Sequence, residues 1–250
     1  MQTALTLFNR TWWWKTLLVL LAMAVMVRLG LWQLDRLDQR RAYNAELAAK
    51  LAAAPLVITG ADLPEPPAAL RNRKAVVQGE YDYAHQIAVK NQNFQGQPGV
   101  HLVTPLRIQG SDRAILVVRG WVPVELAGVE NWPQFEEEAQ GPLSGYLQTS
   151  QKMPGGATSA IPDDPVTGWF RLDIEAIQTQ MPYLLLPVAL QLEAEDGRPY
   201  DALPKRVEPD LSLSEGNHLS YAIQWFAFAI IAGIVYIALV RQQEQKHPPR

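Results

Sequence analysis

Residues 219–240 read L-S-Y-A-I-Q-W-F-A-F-A-I-I-A-G-I-V-Y-I-A-L-V, 22 positions without a charged side chain. A helix rises about 1.5 Å per residue, so the run spans roughly 30 Å, the thickness of a bilayer's hydrocarbon core. The pattern predicts a transmembrane helix over 218–240, with a buried core helix as the competing reading. Arg241, Lys246 and Arg250 follow it and suit a cytoplasmic end.

Working outward, the N-terminal region holds a second, more polar span. Lys15 and Arg28 bracket 12 uncharged residues, too few to cross, but extension to Leu34 gives a run of 19 residues that includes Arg28. A charged side chain near a helix end can snorkel toward the headgroups. Trp12, Trp13 and Trp14 at the entry and Trp32 at the exit resemble interfacial anchors. These features predict a transmembrane helix over 16–35. A cleaved signal peptide, with Ala22-Met23-Ala24 at the cut, is the alternative.

Charge predicts the orientation. The first 15 residues carry Arg10 and Lys15 without an acid, whereas residues 36–217 hold 16 Lys+Arg against 23 Asp+Glu. The reading is therefore a cytoplasmic tail at 1–15, an exported domain at 36–217 and a second cytoplasmic tail at 241–250. That makes a multi-pass protein of the cell membrane with its large domain on the outer, periplasmic side. Arg36, Arg40 and Arg41 oppose this orientation, but long translocated domains follow such charges only weakly.

The composition of the 250-residue chain sets outer limits. With 48% hydrophobic and 19% charged residues it is neither collagen-like nor wholly disordered. A net charge of −3 disfavours a nucleic-acid partner, and zero cysteines exclude disulfides, thiolate metal sites and cysteine nucleophiles.

The 36–217 segment is long enough to bury its own core. Residues 35–54 are rich in helix formers and continue the first helix until Pro55. A Pro-rich connector follows at 63–67. Strand patterns cover 75–81, 86–90, 101–108, 114–122, 143–147, 169–172 and 183–192. Gln109-Gly110-Ser111-Asp112 reads as a hairpin loop, and the apolar run Ile115–Val118 as a strand covered on both faces. Arg119 and Trp121, two apart in that strand, should share one face. Asp173 should cap a short helix ending near Gln180, and 150–168 reads as a long loop. The fold class is an α+β membrane protein, two transmembrane helices flanking a mainly antiparallel β domain.

Catalytic patterns are absent. There is no H-E-x-x-H, no G-x-S-x-G and no P-loop. The acid runs Glu136–Glu138 and Asp163-Asp164 read as solvated surface. No enzymatic role is expected.

The informative residues sit at the predicted outer helix ends. An antiparallel helix pair would bring Trp32 and Gln33 near His218 and Tyr221. His218, Ala222, Trp225 and Ala229 fall on one helix face. Neutral imidazole is a common axial ligand of haem iron, and the small alanines leave room for a flat ligand. A histidine that only starts the helix is the other reading.

Three motifs carry a resemblance. G-L-W-Q-L-D-R at 30–36 is similar, through Gly30, Trp32, Gln33 and Arg36, to the G-x-W-Q-x-x-R signature of the Surfeit-locus-protein-1 family of cytochrome c oxidase assembly factors. A-I-L-V-V-R-G-W-V-P at 114–123 resembles that family's central strand through Arg119, Gly120, Trp121 and Pro123. N-H-L-S-Y-A-I-Q-W-F at 217–226 resembles its C-terminal signature through Asn217, His218, Gln224 and Trp225. G-E-Y-D at 79–82, V-T-P-L at 103–106 and W-F-R-L-D at 169–173 fall in the matching order. The chain departs from the family pattern at Val118 in place of Asn, at His101 in place of Tyr, and after Pro199, where a Gly-Gly stretch is missing.

The resemblance implies an assembly role for a haem–copper oxidase, with transient binding of haem a, His218 as iron ligand and Trp32, Gln33 and Tyr221 around it. The implied partners are the large oxidase subunit, other oxidase assembly factors and the lipid bilayer. A scaffold that stabilises oxidase subunits without haem remains open, as does an unrelated membrane-anchored enzyme. A sensor is disfavoured because the ten-residue C-terminal tail has no room for an output domain.

Overall fold

Seven-residue spacing explains how the two long helices meet. In the computed structural model, which describes residues 12–139, 141–161 and 164–246, helix α1 (Trp13–Ala52) carries Thr16, Met23, Gly30, Leu37 and Asn44 at every seventh position. All five are buried or half-buried. Helix α4 (His218–Lys246) answers with Ala222, Ala229 and Tyr236. A strict heptad keeps one seam facing its partner along the whole contact. The pairing is antiparallel: Thr16 Oγ1 and Tyr236 Oη share a hydrogen bond of 2.6 Å at one end, and Gln33 meets His218 toward the other. A Cβ on Gly30 would come within 2.7 Å of the Phe226 ring, so glycine permits the close approach there.

The 40 residues of α1 correspond to about 60 Å, roughly twice a hydrocarbon core. The polar half beyond Leu34 is the continuation that its helix-forming composition predicts. Both helices are long and apolar enough to cross a membrane, with mean hydropathy of 2.1 and 2.3 over their most apolar windows. Their outward faces display large exposed side chains such as Leu17, Leu21, Val25, Ile230 and Ile234. Residues 1–11 and 247–250, with Arg10 and Arg250 of the two tails, lie outside the described residues, as does Asp163.

The chain divides into two compact units, one built from Met1–Ala48 with Ser212–Arg250 and the other from Ala49–Leu211. The sequence starts the sheet domain at 36, whereas the compact unit around the sheet starts at Ala49. Residues 40–44 belong to the helical unit because they bond the segment before α4: Arg40 donates to the Ser212 and Ser214 carbonyls, and Asn44 Nδ2 to the Leu213 carbonyl.

The second unit is a nine-stranded mixed sheet. Its strands are β1 (Leu56–Ile58), β2 (Lys74–Val77), β3 (Gly79–Tyr81), β4 (Ile87–Phe94), β5 (Gln97–Ile108), β6 (Arg113–Pro123), β7 (Leu143–Thr149), β8 (Gly168–Trp169) and β9 (Leu184–Leu192). The order is β1-β2-β7-β9-β6-β5-β4-β8, with β3 also on β5. Antiparallel pairs predominate, as expected, but β1/β2, β4/β8 and β6/β9 are parallel, which makes the sheet mixed. Strand β6 lies between β5 and β9, and its apolar run is covered on both sides. Ile115 and Val117 enter one cluster with Leu106 and Leu190; Leu116 and Val118 enter another with Val103 and Ile177. Ile177 comes from the short helix α3 (Ile174–Gln178), which follows α2 (Pro67–Leu70) in the chain and whose N-cap Asp173 accepts from the Ala176 amide.

Several elements differ from the sequence reading. The expected 75–81 strand is two strands, β2 on β7 and β3 on β5. Strands β4 and β5 extend toward each other and close on Gln95-Gly96, both with positive φ, a two-residue hairpin turn that this stretch conceals. The expected 169–172 strand shrinks to β8, and Phe170 is exposed.

The shared face for Arg119 and Trp121 is overturned. A bulge falls between the pairs Val118↔Val103 and Gly120↔Leu102, leaving Arg119 as the extra residue. One inserted residue resets the alternation. Val118 and Val122, four apart, consequently enter different clusters. Trp121 pairs with His101 on one face, while Arg119 points to the other, toward Tyr81 and Gln86.

Candidate functional site at the first turn of α4

His218 is the first residue of α4, and its Nδ1 lies 2.9 Å from Gln33 Oε1. An amide oxygen only accepts, so in this pairing Nδ1 carries a proton, and in the neutral ring the lone pair is on Nε2. Beside the imidazole lies a cleft of about 470 Å³ lined by Arg36, Gln39, Arg40, Tyr43, Glu215 and His218, among others. Arg41 Nε and Nη2 reach the two Glu215 carboxylate oxygens at 2.9 and 3.1 Å. The hydrogen bond and charge of Arg41 hold the exposed Glu215 carboxyl below its ordinary pKa. Arg40 stacks near the Tyr43 ring, 5.3 Å from its centroid.

Of the four residues expected around a bound group, the structure brings His218 and Gln33 into direct contact. Trp32 and Tyr221 are 46% and 48% exposed, and among the described residues neither side chain makes a hydrogen bond. The alanine face beneath His218 is real, but Ala222 and Ala229 are buried rather than open. Trp225 packs edge-on against Phe228, Gln224 and Asn217 are exposed, and the Asn217 carbonyl accepts from the Tyr221 amide. Gln39, Arg40 and Tyr43 were not singled out for the site. Their signal was present: Arg36, Arg40 and Tyr43 recur at i, i+4 and i+7, one helix face just past the apolar run.

The central motif lies in the sheet unit and has a structural setting. Arg119 is fully buried. Its Nη1 donates to Gln86 Oε1 at 3.0 Å, Nη2 donates to the Phe135 carbonyl, and the guanidinium sits 5.4 and 5.0 Å from the Tyr81 and Tyr83 rings. Trp121, expected on the same face as Arg119, lies instead against Phe94, their ring centroids 5.4 Å apart. Glu137 joins Arg119, Arg198 and Arg206. Burial pushes the Glu137 carboxyl up, but Arg206, Arg119 and Arg198 outweigh it and hold its pKa below the usual carboxylate range. Gly120, at φ +144°, lets the Lys205 carbonyl pass where a side chain would stand, and Lys205 pairs with Trp121 through two 2.8 Å backbone bonds. Pro123 ends β6.

Among the described residues, no group of three or more His, Asp or Glu side chains is arranged to hold a metal ion.

The comparisons with known proteins agree on one family. The chain is 25% identical over 225 residues to a SURF1-like protein of Rickettsia felis, covering 88% of this chain and 94% of that protein. A SURF1-like protein of Monosiga brevicollis is 26% identical over 229 residues, 86% and 83% of the two chains. One from Caenorhabditis elegans is 23% identical over 187 residues, 75% and 56%. The model of the SURF1 family matches residues 20–230, which include the Gln33–His218 pair and the Arg119 bulge, and on that match the chain belongs to the SURF1 family.

Proposed function

We propose that this protein is a membrane-anchored assembly factor for cytochrome c oxidase that holds haem a through His218 and passes it to the large oxidase subunit. Family membership supports the assembly role. The observation that carries the haem reading is the Gln33–His218 contact. A metal-ligating histidine commonly gives its second ring nitrogen to an oriented acceptor, which fixes the tautomer and raises the basicity of the ligating nitrogen. The donor set fits a haem, which needs one imidazole from the protein rather than a multi-ligand cage. Bound haem supplies a ligand-exchangeable iron within an apolar macrocycle. The chain's own residues bind and orient it: His218 at the metal, Gln33 on the imidazole, and Trp32 and Tyr221 as exposed aromatic surface at the same helix ends. The protein acts by holding and transferring, without turnover of its own.

In this reading α1 and α4 cross the cell membrane, their exposed leucines and isoleucines meeting lipid, with both termini cytoplasmic and the sheet unit outside. Partners are the large oxidase subunit and other oxidase assembly factors.

The test is an absorption spectrum of the detergent-purified full-length protein from cells that make haem a. A Soret band that His218→Ala removes or shifts, in a variant still folded and membrane-inserted, is the expected result. Intact oxidase-subunit binding without any Soret band would favour a scaffold.

A further inference from the structure

We infer that Arg36 and Arg40 recognise the propionate carboxylates of a haem whose iron His218 holds, an inference that rests on the haem reading above. Gln33, Arg36 and Arg40 stand at i, i+3 and i+7, so they share a helix face. By helix geometry Arg36 lies about 4.5 Å and Arg40 about 10.5 Å further along the axis than Gln33. Gln33 marks the level of the His218 imidazole. The guanidinium groups therefore stand on the polar side of the iron ligand, opposite the apolar halves of both helices. Propionates are the ionised substituents on a haem's rim, and they would project toward that polar side while the macrocycle stays against apolar surface.

Charge in the cleft points the same way. Among the described residues its one lining carboxylate, Glu215, is engaged on both oxygens by Arg41. Arg36 donates to the neutral Gln39 amide oxygen, and Arg40 to two backbone carbonyls. Among the described residues, neither arginine has an ion pair with a carboxylate. Two guanidinium groups beside an imidazole are thus left without an anion, and arginine forks match carboxylate geometry.

The experiment uses full-length protein in detergent, titrated with haemin and separately with haemin dimethyl ester, whose propionates are uncharged. Wild type should bind haemin about tenfold more tightly than the ester. Arg36→Gln should weaken haemin binding and leave ester binding unchanged, bringing the ratio toward one, while the His218-dependent Soret band keeps its position. Arg36→Lys should restore part of the preference. Arg40→Gln should act likewise, read beside its circular dichroism because Arg40 also ties down residues 212–214. Equal wild-type affinity for the two ligands, or an Arg36→Gln loss that is the same for both, overturns the propionate assignment and leaves haem binding standing. Arginines that serve lipid phosphate would leave both affinities unchanged in Arg36→Gln, which also overturns it. A wild type with no His218-dependent band for either ligand removes the haem reading and this inference together.

Discussion

Gln33 Oε1 lies 2.9 Å from His218 Nδ1 although 185 residues separate them, and this contact joins the first and last motifs of the chain. Removing the acceptor leaves the imidazole free to rotate and to exchange tautomers. Gln33→Ala should therefore weaken haemin binding about 10–100-fold in a spectral titration while retaining a His218-dependent band. Unchanged affinity would show that Gln33 only packs the helix pair.

The close approach at Gly30 should tolerate no large side chain. Gly30→Leu drives new atoms into the Phe226 ring and should cost about 1–3 kcal/mol by overpacking. Its readout is a lower melting temperature of the detergent-solubilised protein, with the sheet unit's hydrogen-exchange protection unchanged.

At the β6 bulge, Gly120→Ala places a Cβ against the Lys205 carbonyl at a φ of +144°. About 1–3 kcal/mol should be lost, seen as faster hydrogen exchange at Trp121 and Lys205. Arg119→Ala should cost more, about 3–5 kcal/mol, because it removes a buried partner of Glu137 and leaves Gln86 and the Phe135 carbonyl without their donor. Normal stability with lost oxidase-subunit binding would make Arg119 a partner contact instead.

His101 should confer acid sensitivity. Burial pushes its pKa down to about 4, from about 6.5 when unfolded. A folded pKa below the unfolded one means that the unfolded chain binds more protons between these values. The stabilising effect is complete above about pH 6.5 and is lost as pH falls toward 4. Between pH 7 and 5 the loss is about 2 kcal/mol, and His101→Phe should flatten this part of the profile of β5–β6 hydrogen exchange.

Topology is testable by fusion. A reporter active only outside the cytoplasmic membrane, inserted after Ala127, should be active, and one fused after Arg250 inactive. Cytoplasmic activity of the Ala127 fusion would reverse the orientation.

By itself the sequence determined the two apolar helices, the doubly covered Ile115–Val118 strand, the Asp173 cap and the three motifs. Each depends on neighbours within a few residues, through periodicity, hydropathy or capping, and such local physics is written directly in the chain. The approach of Gln33 to His218 was legible only as a consequence of an antiparallel helix pair. What the tertiary structure alone decided is where long-range pairing overrides local pattern. The parallel partner of β6 is β9, recruited from about 70 residues away. The split between β2 and β3 depends on which distant strand each half meets. The bulge that turns Arg119 away from Trp121 exists because β5 offers one residue where β6 offers two, and no alternation within β6 can announce a mismatch with its neighbour. The Arg36–Arg40 cleft is likewise closed by residues 214–218, whose place beside α1 follows from the helix pairing and not from their own sequence.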